Sequence, residues 1–404
     1  MQIRSITYFV HPRWPISELV LQKAGTFIRH ARGAFESAGY PVQTVRLATP
    51  PFPNFLPLED HANAVTQIEV LTHSEGFDYI SLGPAKPSQL DAYAFIPRML
   101  ANSGHLFFAG QLTTSAGEIS LPAVRACAEV IHQAAPLEEN GFANLRFAAL
   151  ANVAPFSPFF PAAYHEGKAP SFALALEAAD LAVTAFTGAK TLSDAKRRLI
   201  DLVDTHARQL QTIGETLAKA YQIEFKGIDF SLAPFPKQAN SIGYAMEQLG
   251  LPAFGLFGSL SAAAFLMDAL DQAKFMRTGF SGLMLPLLED TTLSQRGAEG
   301  VLTVNDLLLY SAVCGTGLDT IPLPGDTSVD QIQAVLLDLA ALSSRLAKPL
   351  TARLMPIPGK KAGDDTGFDF EFFANSKVLS LPAKPLTGLL AGRETISIRP
   401  RRAD

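Results

Sequence analysis

Apolar and polar positions along the chain switch repeatedly between a strand-like and a helix-like spacing. "IRSITYFV" (3–10) reads as a strand, and "ISELVLQKAGTFIRHARGAFESAG" (16–39) as an amphipathic helix that stops at a glycine. "PVQTVRLA" (41–48) is the next strand. A helix around 59–75 leads to "FDYISLG" (77–83), and one around 88–102 to "HLFFAGQ" (105–111). The helix near 121–134 carries Leu121, Val124, Cys127, Ala128 and Ile131 on one face, which makes Cys127 a small core residue.

The alternation continues in the second half. "LRFAALANV" (145–153) is a strand, and a helix near 170–180 feeds a strand "LAVTAFTG" (181–188). One long helix covers 193–222, with serine at its N-cap. Strands "KGIDFSLAPF" (226–235), "PAFGLFG" (252–258) and "GFSGLMLPL" (279–287) are separated by helices around 238–249 and 260–274. A helix at 303–313 runs into "AVCGTGLDTIPLPGDT" (312–327), which supplies a short strand over 318–321 that Pro322 should end. Helix 328–346 and "TARLMPIPG" (351–359) follow. Roughly ten strands with helices between them predict an α/β architecture with a largely covered sheet. No linker, charge run or repeat divides the chain, so a single α/β domain over 1–404 is expected.

Composition narrows the function classes. A hydrophobic content of 48% with 18% charged residues describes a filled globular core, and a net charge of −5 leaves no basic surplus for nucleic acid. No segment approaches the ~18 apolar residues of a membrane span. The start "MQIRSITYFVHPRWP" lacks a signal peptide's apolar region, and two cysteines cannot build a disulfide framework. A soluble, cytoplasmic protein without membrane or nucleic-acid partners is expected. The 28 phenylalanines cluster in "APFSPFFPAAYHEG" (154–167), which reads either as an ordered loop over the core or as a lid over a pocket.

Candidate chemistry lies where strands end. Asp229 and Ser231 share one side of a strand, and Gly279, Ser281 and Gly282 form "GFSG" ahead of Pro286, Glu289 and Asp290. Cys314 follows a helix, so the helix dipole opposes a thiolate; it reads as structural or, if an imidazole or arginine reaches it, as a nucleophile. Gly315 and Gly317 look like a helix cap and a turn. Asp319, between Leu318 and an apolar run, needs a donor or a cation, whereas Asp326 reads as a helix cap. Asp229 with Asp319 could offer oxygen ligands to magnesium or calcium, or each could accept backbone N–H groups in its own turn. His165 beside Glu166 reads as an acid–base pair or as a plain loop residue. No phosphate-binding loop, dinucleotide fingerprint, G-x-S-x-G elbow, HExxH or CxxC occurs.

Taken together, "DFSLAP" (229–234), "GFSG" (279–282) with Pro286, Glu289 and Asp290, and Cys314 with Gly317, Leu318 and Asp319 resemble the family of domains of unknown function numbered seven-eleven. Pro324, Asp326, Thr327, Arg353 before Pro356, and Gly359 through Asp364 extend the resemblance, which is strongest over 145–380. It implies a fold similar to pyruvate formate-lyase: a large barrel of about ten strands in two parallel halves, with surrounding helices and chemistry inside. In that fold a cysteine loop can enter the barrel. The C-terminal "LTGLLAGRETISIRPRRAD" has no glycyl-radical loop and a single cysteine replaces an adjacent pair, so radical chemistry is not expected.

The resulting expectation is a cytoplasmic enzyme, or a non-catalytic binding protein, with a small polar metabolite in a central cavity. Asp229, Asp319, His165 and Cys314 are the candidate catalytic groups. Ser231, Gly279, Ser281, Gly282, Gly317 and Arg353 are the candidate ligand-binding groups. Asp229, Ser281 and Asp319 should converge, and a homodimer is expected from the apolar content.

Overall fold

The structure, a computed structural model, describes residues 1–400; the last four residues of the C-terminal segment lie outside it. In the first half, β1 (Gln2–Phe9), α1 (Glu18–Ser37), β2 (Val42–Pro51), α2 (His61–Ser74), β3 (Tyr79–Ala85), α3 (Ile96–Ala101) and β4 (Leu106–Gln111) alternate. The short β5 (Ile119–Ser120), α4 (Leu121–Ala134) and β6 (Phe147–Ala151) follow. The second half holds β7 (Ser171–Glu177), α5 (Ala179–Phe186), α6 (Leu192–Tyr221), β8 (Glu224–Asp229), α7 (Ile242–Glu247) and α8 (Ser259–Gln272). It ends with α9 (Thr291–Ala298), α10 (Val304–Tyr310), β9 (Gly317–Pro324), α11 (Val329–Leu346), β10 (Leu350–Ile357) and β11 (Thr395–Ile396).

Nine strands form one sheet in the order β8-β7-β1-β2-β3-β4-β6-β10-β9, and β5 pairs separately with β11. The central five, β1, β2, β3, β4 and β6, are mutually parallel. A parallel pair flanks them on each side, β7/β8 and β10/β9, and each pair meets the centre antiparallel. Every residue of β6, β7 and β10 is buried, as expected for strands covered on both faces. The architecture is thus mixed α/β with a large central sheet.

Several sequence expectations need correction. The order over 171–186 is strand then helix, the reverse of the reading above, because "SFALALEAADLAVTAF" is mostly apolar and its period separates neither. Helix α6 is capped by Thr191, whose side chain accepts the Asp194 N–H at 3.1 Å, and not by Ser193. Residues 252–258 form no strand, since Gly255 and Gly258 sit at φ +112° and +106°. Residues 279–287 are not a regular strand either, because Gly279 and Ser281 both have positive φ. The segment around them still touches both outer strands of the sheet, through Ile228↔Arg277 and Leu232↔Leu283 on one side and Pro286↔Asp319 on the other.

Strand β9 runs through Pro322 to Pro324. Apart from the single bridge at Asp319 it is laddered on one side only, to β10, and prolines are tolerated in such edge strands. Helix α11 is capped by Ser328 in a reciprocal box with Gln331, while Asp326 is exposed. Among the described residues no helix is long and apolar enough to cross a membrane.

Candidate functional site

The phenylalanine-rich segment between β6 and β7 is an ordered loop packed on the core, as the first of the two readings has it. It runs against one face of the central strands, and their small polar side chains hold its carbonyls. Thr7 donates to Pro158 O at 3.2 Å, and Ser81 donates to Ala163 O at 2.7 Å. The His165 N–H donates to Thr49 O at 2.9 Å. Phe159 packs with Ala109, Ala148, Leu150, Phe280 and Met284, while Phe160 packs with Phe9, Ala48 and Ala173. The interior that sequence reasoning left open for a ligand is therefore largely filled by the chain itself. His165 is completely buried, and neither ring nitrogen has a partner. Burial pushes its imidazole down to about 4, so it is neutral at pH 7 and unsuited to act as an acid near neutrality.

Asp229 and the "GFSG" turn form a clasp. The carboxylate accepts the Phe280 and Ser281 N–H groups at 2.9 Å each, and the Ser231 hydroxyl bonds to it as well. The Ser281 hydroxyl in turn donates to Thr278 O at 2.9 Å and accepts the Phe230 N–H at 3.2 Å. Gly279 is required here, because a Cβ on it would lie 2.2 Å from Asp229 Oδ2. Burial raises the Asp229 carboxyl, against the pull of these donors. Gly282 lies against Gly315, and the Gly315 N–H donates to Leu283 O at 2.7 Å. Cys314 sits beside this contact, fully buried in the main core. Gly317, at φ +108°, turns the chain into β9 with its Cα against the Thr351 backbone.

Among the described residues Asp319 shares no hydrogen bond with Asp229 or Ser281. The bridges place Asp319 level with Pro286, whereas Asp229 bonds to the turn at Phe280 and Ser281. Among the described residues no group of three or more His, Cys, Asp or Glu side chains could hold a metal ion, and the two carboxylates considered for magnesium or calcium do not meet.

What Asp319 does join is a buried chain of charges. In β9 the pairing with β10 slips between Ala352 and Leu354, so Asp319 and Thr320 together oppose Arg353, with Thr320 at φ +47°. This bulge lets Asp319 meet the Arg353 guanidinium, Nε to Oδ1 at 2.5 Å. Arg353 Nη2 donates to Glu289 Oε1 at 2.7 Å, and Arg4 binds the other oxygen of Glu289. Arg4 is itself the extra residue of a bulge in β1 against β7. Two irregularities thus bring charges from opposite sides of the sheet into one cluster. Burial works to raise the Glu289 carboxyl, but Arg4 and Arg353 pull it below its ordinary value. Asp319 keeps a raised value, burial outweighing the pull of Arg353.

A cavity of about 90 Å³ opens on this cluster. Arg4, Arg46, Arg353 and Glu289 supply its polar lining, and Tyr79, Phe107, Phe159, Phe160, Phe370 and Phe372 most of its apolar wall. Arg46 differs from the other two arginines. Its Nε donates to Thr44 Oγ1 at 2.8 Å, and its guanidinium lies 4.9 Å from the Phe160 ring centre, but among the described residues no carboxylate pairs with it. Burial, and then the Arg4 charge, pull its value down to about 9, which leaves it a cation at pH 7. Nearby Glu177 accepts from Gln2 at 2.8 Å and leaves its second oxygen without a partner; burial raises its carboxyl to about 7.

Of the residues singled out from sequence, Glu289, Asp319 and Arg353 belong to this cluster. Asp229, Ser231, Gly279, Ser281, Gly282 and Gly317 shape the backbone away from it, and His165 and Cys314 lie elsewhere in the interior. Sequence reasoning passed over Arg4, Arg46 and Glu177, although each interrupts an apolar strand. A second, wider crevice of about 760 Å³ lies at the C-terminal ends of β3, β4 and β6, lined by Lys86, Gln111, Thr113, Asn152, Tyr164 and Glu166.

Comparison with known proteins agrees with the motif resemblance. A UPF0210 protein of Pyrobaculum aerophilum is 36% identical over 257 residues, covering 61% of this chain and 56% of that protein. One of Pyrobaculum islandicum is 31% identical over 346 residues, 81% of this chain and 76% of that protein. One of Methanopyrus kandleri is 27% identical over 374 residues, 87% and 82% respectively. The chain therefore spans little more than half the length of the first of these relatives. The family described as "Uncharacterised ACR (DUF711)" matches residues 1–374, well beyond the 145–380 that the motifs covered, and this chain belongs to it.

Proposed function

We propose that the protein binds a small organic anion in the arginine-lined cavity. Arg46 carries this reading: it is a cation without a carboxylate partner, facing a cavity whose other charges are already paired. A cation held this way gains Coulomb energy from any anion that enters, and little is lost in reorganisation because the guanidinium is already positioned. The reading includes closure of the sheet. The bridges from 277–286 to both β8 and β9 support this segment as a tenth strand, which would complete a barrel of two five-stranded halves like that of pyruvate formate-lyase. The cavity would then lie inside the barrel, at the end where β1 to β4 begin.

Binding without catalysis is the reading the geometry supports best. The acid–base groups expected from sequence, Asp229 and His165, do not line the cavity, and Asp319 is committed to Arg353. One observation favours an enzyme as the second reading: Glu289 lines the same cavity as Arg46, so a bound anion would lie near a carboxylate.

Bromide is a suitable probe of the anion site. Crystals soaked in sodium bromide should show an anomalous peak beside Arg46 and none there in Arg46→Met crystals. Bromide confined to surface sites in the wild-type protein would overturn the proposal.

A further inference from the structure

Charge, volume and lining together restrict which anion this cavity takes, on the assumption that it takes one, as proposed above. The charge count comes first. Arg4, Arg46 and Arg353 face two carboxylates, Glu289 and Asp319, that are already bonded to Arg4 and Arg353. One positive charge is left over. Glu177 does not balance it, because it bonds to Gln2 and does not line the cavity. A dianion such as phosphate or a dicarboxylate would bring one charge too many beside Glu289, and like charges in a dry site repel strongly.

Volume comes second. About 90 Å³ is less than the ~150 Å³ of an apolar cavity known to hold benzene. A carboxylate with a short chain fits this space more readily than an aromatic acid.

The lining comes third. Beyond the charged groups the walls are mostly aromatic rings, with Gln43 and Thr44 as the uncharged polar contributions. Thr44 Oγ1 already donates to Arg4 O at 2.7 Å and accepts from Arg46. Thr44 therefore has little capacity left for hydroxyl groups on the ligand body, which leaves Gln43 and the Tyr79 hydroxyl among mostly apolar walls where an unpaired hydroxyl is costly to bury.

From these three features we infer that the cavity is a site for a short-chain aliphatic monocarboxylate of about two to five carbons, with its carboxylate on Arg46 and its chain against Phe160 and Tyr79. The planar fork of Arg46 presents its Nη donors to both carboxylate oxygens. The Phe160 ring fixes the plane of that fork from one side.

The test is calorimetric titration of the full-length protein at pH 7.5 with acetate, butyrate, benzoate, succinate and phosphate, repeated on Arg46→Met and on Phe160→Trp. Butyrate should bind most tightly, with acetate weaker and benzoate, succinate and phosphate at least tenfold weaker than butyrate. Arg46→Met should lose butyrate binding by tenfold or more. Phe160→Trp, which narrows the cavity and keeps the charge, should shift the preference from butyrate towards acetate. If succinate or phosphate binds best, and loses that binding in Arg46→Met, the anion site stands but its assignment to monocarboxylates is wrong. If no anion binds in an Arg46-dependent manner, both readings fall.

Discussion

Arg353 and Arg46 line the same cavity, yet replacing each by methionine should have very different consequences for stability. Arg353 is nearly inaccessible and, among the described residues, is the only partner of Asp319 and one of two partners of Glu289. Removing it leaves one buried carboxylate unpaired and another half-paired, a change that costs about 3–5 kcal/mol. Unfolding entropy of about 2.1 cal/mol/K per residue over 404 residues gives roughly 0.85 kcal/mol/K, so this cost lowers Tm by about 5 °C. Arg46→Met loses a cation–π contact of about 0.5–2 kcal/mol and one hydrogen bond of about 1 kcal/mol. It also removes a partly buried cation that no carboxylate offsets, a gain of similar size once solvent screening is allowed for. Its Tm should stay within about 2 °C of wild type.

Lowering the pH should then narrow the gap for Arg353→Met. In the wild type Glu289 is held below its ordinary value, so its pairing stabilises the fold above that ordinary value and is lost as the pH falls through the folded one. In the variant Glu289 loses a partner and Asp319 its only one, so the folded state takes up protons as the pH drops and the penalty disappears. Differential scanning calorimetry at pH 7.5 and pH 5 reads both effects. The reasoning fails if Arg46→Met loses as much Tm as Arg353→Met, because Arg46 would then be a paired structural cation and the cavity would hold no surplus charge.

Two further predictions concern other groups. The Glu177 carboxyl is raised from 4.5 to about 7, so the folded state holds an extra proton between these values and stability falls as pH rises through that window. The loss is roughly 3 kcal/mol, at 1.36 kcal/mol per unit. Glu177→Gln should therefore raise Tm at pH 8 and leave it unchanged at pH 4.5, and melting curves with equal shifts at both pH values would refute this. Asp229→Asn keeps the volume but turns an amide N–H₂ towards backbone N–H groups, at a cost on the order of 2–3 kcal/mol. It should lower Tm while leaving anion binding intact; loss of binding at unchanged Tm would make Asp229 a ligand group rather than a clasp.

Secondary structure was most legible where the apolar period was unambiguous. Helix α4 falls at 121–134 as its apolar face predicts, and the bounds of β1, β2 and β4 lie within three residues of the sequence reading. Legibility failed over 171–186, where the strand is fully buried and the helix after it is too short, and too apolar, for its period to stand out. It also failed in the "GFSG" turn and "PAFGLFG", whose glycines take positive φ, a conformation that apolar neighbours do not announce. The motif residues were real structural signals, but of close packing: Gly279 against Asp229, and Gly282 against Gly315.

The site was harder to find than the fold, for a physical reason. Motif reasoning searches strand ends, where backbone and loops leave room for chemistry, whereas the charges that line this cavity come largely from within strands. Arg4 reaches it because a bulge in β1 adds a residue, and Asp319 because a bulge in β9 turns it towards Arg353. Period-two counting cannot anticipate either, since a bulge moves a side chain to the opposite face. A different question asked of the same sequence would have reached them: which strand positions carry a charge that burial should forbid? Arg4 in "IRSITYFV", Arg46 in "PVQTVRLA", Glu177 in "SFALALE" and Arg353 in "TARLMPIP" answer it. A charge buried in a strand must find a partner, and when such charges are gathered in one fold the count of partners becomes informative. Here the carboxylates run out at Arg46, and the missing partner is the argument for a ligand.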